Sequence, residues 1–448
     1  MRLRHLMSAG LLAVLAAGCS TDDILQVDPA TIVPAATAIN DPQSARAAVL
    51  GLYDALQDGY YYGEQFLTFG DLSSDNAQHT GTFTTYADVD QNKLTAENSA
   101  IEGMWDAIYE SIARANVLLK RIPEVNFLET PEKNQMMAEA LFVRALGYHN
   151  LVKFFGGVPL RTDPVNEPSE VAQLSRSTPA QVYAQILADL QQAQSLVQLQ
   201  RSGLKVSMGA IRALRARVYL YQQNWAGAET EANAVLAMGY ALASSYSSLF
   251  DPTGAATSED IFRVKFNTQD ANSISYYYMD KSLGGRRELG PTTSIRQAFE
   301  TADLRGQWSI RNATSTRFYG AKYRSVTGTE HIHVIRLGEI ILIKAEAQAR
   351  LGRLGEAITT LNVLRVRAGV APLVFGSPTL STQAQVLDAI LKERRLELVF
   401  EGDRWPDLVR TGMAVTVMNL VGREFQTLYP IPQGERDVTT GLDQNPGY

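Results

Sequence analysis

Cysteine is almost absent from this chain: Cys19 is the only one in 448 residues. That excludes an internal disulfide framework and any cysteine-rich metal site. Histidine is scarce too, with five residues, and no HExxH, GxxxxGK[ST] or GxSxG pattern occurs. His331 and His333 fall on one face of an expected strand, but zinc needs three or four ligands, so no metal site is expected. Basic residues number 41 against 47 acidic ones, for a net charge of −6. An acidic body argues against a nucleic-acid partner, which needs a basic surface. No Gly/Ser-rich linker divides the chain, so residues 41–448 are expected to pack as one globular unit.

The apolar stretch that ends just before Cys19 is well short of the ~20 residues of a membrane-spanning helix. It has the length of a signal-peptide core, with Arg2 and Arg4 ahead of it and the small residues Ala17 and Gly18 behind it. The arrangement resembles a bacterial lipobox, with its leucine at Leu15 where Ala16 would be the usual place. Residues 1–18 are therefore expected to be a signal peptide. Cys19 is expected to carry lipid and residues 19–40 to form the tether. Stable anchoring takes more than one acyl chain. The acidic Ser20-Thr21-Asp22-Asp23 stretch resembles the surface-export signal of Bacteroidetes-like lipoproteins.

Helical signals begin at Asp41-Pro42, where Ala45, Val49, Leu52 and Leu56 form one apolar stripe. A second helix is expected over 99–121, from Ile101, Trp105, Ile108, Ile112, Ala115 and Leu119. A third is expected from Thr130-Pro131 to about Phe155, and a fourth from Thr178-Pro179. Each Thr-Pro pair sets a capping residue before proline in the first turn. Residues 207–238 and 337–368 read as two helix-turn-helix units. Ala216 to Ala228 and Ala345 to Ala357 share a spacing of 12 residues, and the small side chains let paired helices approach closely, as in tetratricopeptide repeats. The units are far apart in sequence and are not expected to form one tandem array. Three parts follow: a helical part at 41–239, an irregular aromatic-rich insertion at 240–336 with short strands at IFRVKF and HIHVIR, and a helical part at 337–448.

Two groups of residues are candidates for chemistry. Glu393, Glu397 and Glu401 share one helical face. Paired carboxylates can serve glycoside hydrolysis, but arginines at 394, 395 and 404 favour a structural ion-pair network of Glu397, Glu401, Arg395 and Arg404, and no catalytic residue is assigned. The second group is aromatic. Tyrosines gather in two irregular windows, 60–86 and 240–323, while the helices use Leu, Ile, Val and Ala in their cores. Tyr60, Tyr61, Tyr62, Tyr276, Tyr277, Tyr278 and Trp308 offer flat faces for sugar rings. Asp75, Asn76 and Arg287 stand near them in sequence to supply hydrogen bonds. Together these are the expected ligand-binding residues.

Three stretches in order resemble the SusD/RagB family of outer-membrane nutrient-binding lipoproteins: EALFVRALGYHNLVKFFGGVPL at 139–160, ERRLELVFEGDRWPDLVRTG at 393–412, and the C-terminal LYPIPQGERDVTTGLDQNPGY. The resemblance spans nearly the whole chain after the N-terminal stretch. It implies an all-α SusD-like fold, with tetratricopeptide-like helix pairs and long irregular loops carrying a few short strands. It implies a non-enzymatic lipoprotein of the outer membrane, facing the cell exterior. Such a protein captures an oligosaccharide or a peptide and passes it to a TonB-dependent barrel transporter of the SusC/RagA type. No cofactor is implied; a structural calcium ion among loop carboxylates is the one alternative, without an EF-hand spacing to mark it. The alternatives in function are a tetratricopeptide-type interaction scaffold of the cell envelope and a glycoside hydrolase.

Overall fold

A computed structural model describes residues 39–165 and 174–448. The expected signal peptide, Cys19 with its lipid, and all of the tether but its last two residues lie outside the described residues.

The chain enters the fold through α1 (Pro42–Asp54). Asp41 accepts from the Ser44 amide at 2.7 Å and the Ser44 hydroxyl returns the bond to the Asp41 amide, a reciprocal cap beside Pro42. After α2 (Gln65–Leu72) and α3 (Thr84–Asp90) come the long helices α4 (Ser99–Arg121) and α5 (Thr130–Phe155). Asn98 caps α4, and Lys120 and Arg121 complement the dipole at its end. The apolar stripe of α4 is buried against α5, which is itself enclosed on all sides from Ala138 to Phe155, the pattern of a central helix. Then follow α6 (Pro179–Leu196), α7 (Met208–Tyr221) and α8 (Trp225–Leu236). The turn into α8 uses Gln223 at φ +58°, and Asn224 caps the new helix on the Gly227 amide.

Beyond a segment of ribbons and short helices, among them α9 (Ile274–Tyr278) and α10 (Leu304–Ser309), the chain returns to α11 (Leu337–Arg350), α12 (Leu354–Arg367), α13 (Gln383–Glu397) and α14 (Arg404–Arg410). Each long helix packs on the next, and α8 packs directly on α11. The two repeat-like hairpins, expected to stand apart, are therefore neighbours in one stack. Ala216, Ala228, Ala232, Ala345, Ala357 and Leu361 are fully buried within it. The hairpins meet because β2 (Asp260–Val264) pairs antiparallel with β6 (Ile332–Arg336), which closes the base of the intervening segment. Both faces of this ribbon are buried, although its sequence alternates apolar and polar residues. On the polar face Arg263 pairs with Asp260 at 3.2 Å, and Asp260 with His333 at 3.0 Å. Of two further ribbons, one joins the segment to the N-terminal part and the other lies within it. In one, β1 (Ala77–His79) pairs with β3 (Leu289–Pro291); in the other, β4 (Ile310–Asn312) pairs with β5 (Phe318–Gly320). One hydrophobic core runs from Ile39 to Leu442.

The N-terminal and C-terminal parts touch most closely where α2 meets the EGDRW turn. A methyl group on Gly70 would fall within the backbone of Gly402, which is itself at φ +82°. Asp71 is buried beside this contact and accepts from the Gly402 amide at 3.0 Å and from Asn76 Nδ2 at 2.7 Å. Gly70→Ala is expected to cost about 2–3 kcal/mol by overpacking, read as a lowered Tm in a thermal melt. An unchanged Tm would mean that the two backbones separate freely.

Candidate functional site

The exposed aromatic surface is built by one turn of helix. In α9, Ile274 and Tyr278 are four residues apart and share the inner face, where both are buried. Tyr276 and Tyr277 are thereby turned outward; Tyr276 is 39% exposed and Tyr277 half-buried. The Tyr277 ring meets Phe83 and Tyr86, each with centroids 6.1 Å away, and Tyr276 lies edge-on to Tyr277 at 5.5 Å. The Arg286 guanidinium stacks on Phe83 at 3.9 Å. The result is a shallow aromatic platform of Phe83, Tyr276 and Tyr277 edged by a cation.

Buried carboxylates hold this platform rigid. Glu288 accepts from the Thr82 and Phe83 amides at 2.7 and 2.6 Å and from Arg286 Nε at 2.8 Å, and it meets His79 Nε2 at 2.9 Å. Burial acts to raise its pKa, but the Phe83 amide, Arg286 and His79 outweigh burial and hold it below the usual carboxylate range. Beneath Tyr86, Glu64 accepts from the Tyr86 hydroxyl at 2.5 Å and from Thr68 at 2.6 Å. Burial pushes the Glu64 pKa up to about 7.

The expected ligand residues divide sharply. Tyr276 and Tyr277 stand on the platform, and Arg287 is nearby at φ +53°, next to Arg286. Tyr61, Tyr62 and Tyr278 are buried and do not form a ligand surface. Asn150 Nδ2 donates to the hydroxyls of Tyr61 and Tyr62 at 2.8 and 2.9 Å, which fixes both rings against α5. Tyr278 packs on Phe400 instead. Asn76 is buried on Asp71, and Asp75 is taken by Arg404 and Arg395 at 2.7 and 3.0 Å. Tyr60 is exposed but lines a separate groove of about 610 Å³, with Asp54, Asp58, Asp106, Glu110 and Arg114. Trp308 is half-buried, with Arg324 lying over its ring at 3.2 Å. Sequence reasoning left Phe83 out of the site, because its strongest cue was tyrosine clustering.

The expected ion-pair set also has different partners. Arg395 and Arg404 serve Asp75, not the helix glutamates. Glu397 is enclosed by Arg336 at 2.6 Å, Arg305 at 3.2 Å and Arg367. Glu401 meets Lys322 at 2.5 Å and Arg336 at 2.8 Å. The ribbon-rich segment supplies Arg305, Lys322 and Arg336, and α12 supplies Arg367, so spacing along one helix did not reveal them. Glu393, Glu397 and Glu401 all have buried side chains and present no face to a sugar. Among the described residues, no group of three His, Cys, Asp or Glu side chains is arranged to hold a metal ion.

Comparison with known proteins gives a consistent result. A family model described as SusD-like, starch-binding associating with outer membrane, matches residues 26–220, and the SusD family model matches residues 263–423. SusD-like protein P38 of Formosa agariphila is 27% identical over 463 residues, covering 89% of this chain and 90% of that protein. A SusD superfamily protein from Bacteroides vulgatus superposes with a TM-score of 0.82 at 23% identity, over 91% of this chain and 99% of the other. A laminarin-binding SusD-like protein superposes with a TM-score of 0.77 at 26% identity, over 92% of this chain and 100% of the other.

Proposed function

The chain belongs to the SusD family, and from that premise we propose that it captures a carbohydrate at the cell surface and delivers it to a TonB-dependent outer-membrane transporter. The observation that carries the reading is the platform of Phe83, Tyr276 and Tyr277, edged by Arg286. Pyranose rings present apolar C–H faces that fit flat aromatic surfaces, and their hydroxyls take hydrogen bonds from a planar guanidinium. A laminarin-binding relative of the same fold supports a glycan over a peptide. The lipobox-like stretch ahead of Cys19 supports attachment to the membrane by lipid. The site binds and does not turn over its ligand.

The test begins with a glycan panel run in native affinity gels. For a glycan that retards the protein, the double variant Tyr276→Ala, Tyr277→Ala is expected to weaken binding roughly ten- to a hundredfold, at about 1 kcal/mol per stacked ring. Tyr276 is 39% exposed while Tyr277 packs on Phe83 and Tyr86, so a modest fall in Tm is expected and affinity is read at a temperature where the variant is folded. Full retention of affinity in the double variant would remove the platform from the site. Delivery is tested by extracting the protein in mild detergent and identifying the chains that come with it. A TonB-dependent barrel at near-equal amount is expected, and recovery of the protein alone would sink the delivery step.

A further inference from the structure

Around the platform the carboxylates face inward and the arginines face out. Asp280, Glu288 and Glu330 are each no more than 2% exposed. Lys281 and Arg311 are exposed, and Arg286, Arg287 and Arg324 are half-buried with accessible edges. Arg317 keeps 44% of its side chain open while its Nε reaches Asp280 at 2.7 Å. Of the exposed acids of the segment, Glu300 is occupied by Arg365 at 2.9 Å, and Asp270 lines the separate groove that holds Tyr60.

These cations form a continuous track. Arg286 is tied to the platform through its amide, which donates to the Tyr276 carbonyl at 2.6 Å. Asp280 holds Arg317 and lies 3.9 Å from Arg287, joining the platform loop to β5. In the β4–β5 ribbon Arg311 stands directly across from Tyr319, and Arg317 follows on the same face two residues before it. Arg324 comes next, flat on Trp308 and held by the Trp308 and Ala321 carbonyls. Among the described residues neither Arg311 nor Arg324 has a carboxylate within ion-pair distance. Burial and the nearby Arg311 both lower the Arg324 pKa, the mark of a repulsion that an incoming anion relieves. In a chain of net charge −6, a cationic strip on this one face is not a product of composition.

We propose that the carbohydrate captured here is an anionic glycan, bearing sulfate esters or uronate carboxylates, with Arg286, Arg311, Arg317 and Arg324 holding its acidic groups while its sugar faces rest on Tyr276 and Tyr277. The inference rests on the carbohydrate reading above and names the ligand's class. Guanidinium groups pair with sulfate and carboxylate through two parallel N–H donors. The carboxylates hold one edge of the Arg286 and Arg317 guanidinium groups, and further N–H donors are left for a ligand. Stacking on Trp308 keeps Arg324 in one orientation, so less freedom is lost on binding.

The test compares four chains against the purified protein by titration calorimetry at 50 and 500 mM NaCl: dextran sulfate, polygalacturonate, laminarin and dextran. At least one of the two polyanions is expected to bind ten times more tightly than either neutral chain and to weaken at high salt. Which polyanion binds separates sulfate from carboxylate recognition. Arg311→Gln is expected to weaken that polyanion about tenfold, the size of one charge-assisted hydrogen bond, with Tm unchanged; Arg317→Gln is expected to weaken it as much, with a lower Tm because buried Asp280 loses a partner. Arg46→Gln, an exposed arginine paired with Glu132 on α1, should leave affinity as it is. Equal loss in Arg46→Gln would show diffuse charge attraction and overturn the inference. Preference for laminarin or dextran, untouched by the arginine variants, would overturn it while leaving the carbohydrate reading standing. Binding of none of the four, nor of any glycan on a panel, would end both.

Discussion

Glu397→Ala is expected to destabilise the protein by about 3–5 kcal/mol, the cost of removing one partner from a buried ion network. The Glu397 carboxylate is fully buried and accepts from Arg336, Arg305 and Arg367. Deleting it leaves three guanidinium groups in the interior with less charge to balance them. These partners come from three places: Arg336 ends β6, Arg305 opens α10, and Arg367 ends α12. Glu259, just before β2, joins through Arg336 at 3.0 Å and Arg367 at 3.2 Å. The carboxylate thus fastens the ribbon-rich segment to the helical stack, and its loss should loosen the segment that carries the ligand face. Scanning calorimetry should show a Tm lower by about 4–6 °C. Glu110→Ala, which removes an exposed partner of Arg114, should change stability by less than about 1 kcal/mol. Equal effects from the two substitutions would show that the buried network contributes no more than a surface pair.

The helical frame was legible because its signals are local. The apolar stripes and the Thr-Pro pairs mark α4 and α5, and the start of α6, within a residue or so of the observed bounds. The repeat-like hairpins were legible from alanine spacing, but their stacking was not. It depends on pairing between Asp260–Val264 and Ile332–Arg336, some 70 residues apart, and such closure leaves no periodic trace. The proposed binding face was legible only as a region. Three tyrosines in a row at 276–278 divide by one helical turn too short to announce itself in sequence. Tyr60, Tyr61 and Tyr62 divide because Asn150, about 90 residues away, captures two hydroxyls. The ion network was legible in its acids and not in its partners. Helix spacing pointed to Arg395 and Arg404, whereas the cations that reach Glu397 and Glu401 arrive from β6, α10, α12 and Lys322. Long-range electrostatics is set by the fold that assembles it, so the partners are visible only afterwards.

Stability should decline from about pH 5 to 7 and should fall steeply below about pH 4.5, with the network glutamates driving the fall at low pH. Burial acts to raise the pKa of Glu401, but Arg336 and Lys322 outweigh it and bring it from 4.5 down to about 2. Glu397 is held lower still by Arg367, Arg336 and Arg305. A carboxylate with a depressed folded pKa contributes stability above its unfolded pKa and loses it as pH falls through the folded value. Glu401 alone accounts for about 3 kcal/mol between pH 4.5 and 2. The decline above pH 5 comes from buried acids. Burial raises Glu64 and Asp71 to about 7, and burial beside like charges raises Asp106 and Asp403 to about 6, so between pH 4 and 7 the folded chain holds protons that the unfolded chain has released, and stability drops as pH rises. Burial, with Arg263 and Lys265 nearby, lowers His331 to about 4, and burial beside Lys153 lowers His149 well below its ordinary value. Their contribution runs the other way, because the unfolded chain binds protons there that the folded chain refuses. Asp71→Asn keeps an acceptor for the Gly402 amide but removes one of the raised acids, so its decline from pH 5 to 7 should be shallower than the parent's. His331→Gln removes an opposing group, so its decline over the same interval should be steeper. Urea unfolding at half-unit pH steps reads both slopes, and variants that share the parent's profile would show that these buried groups titrate alike in the folded and unfolded chain.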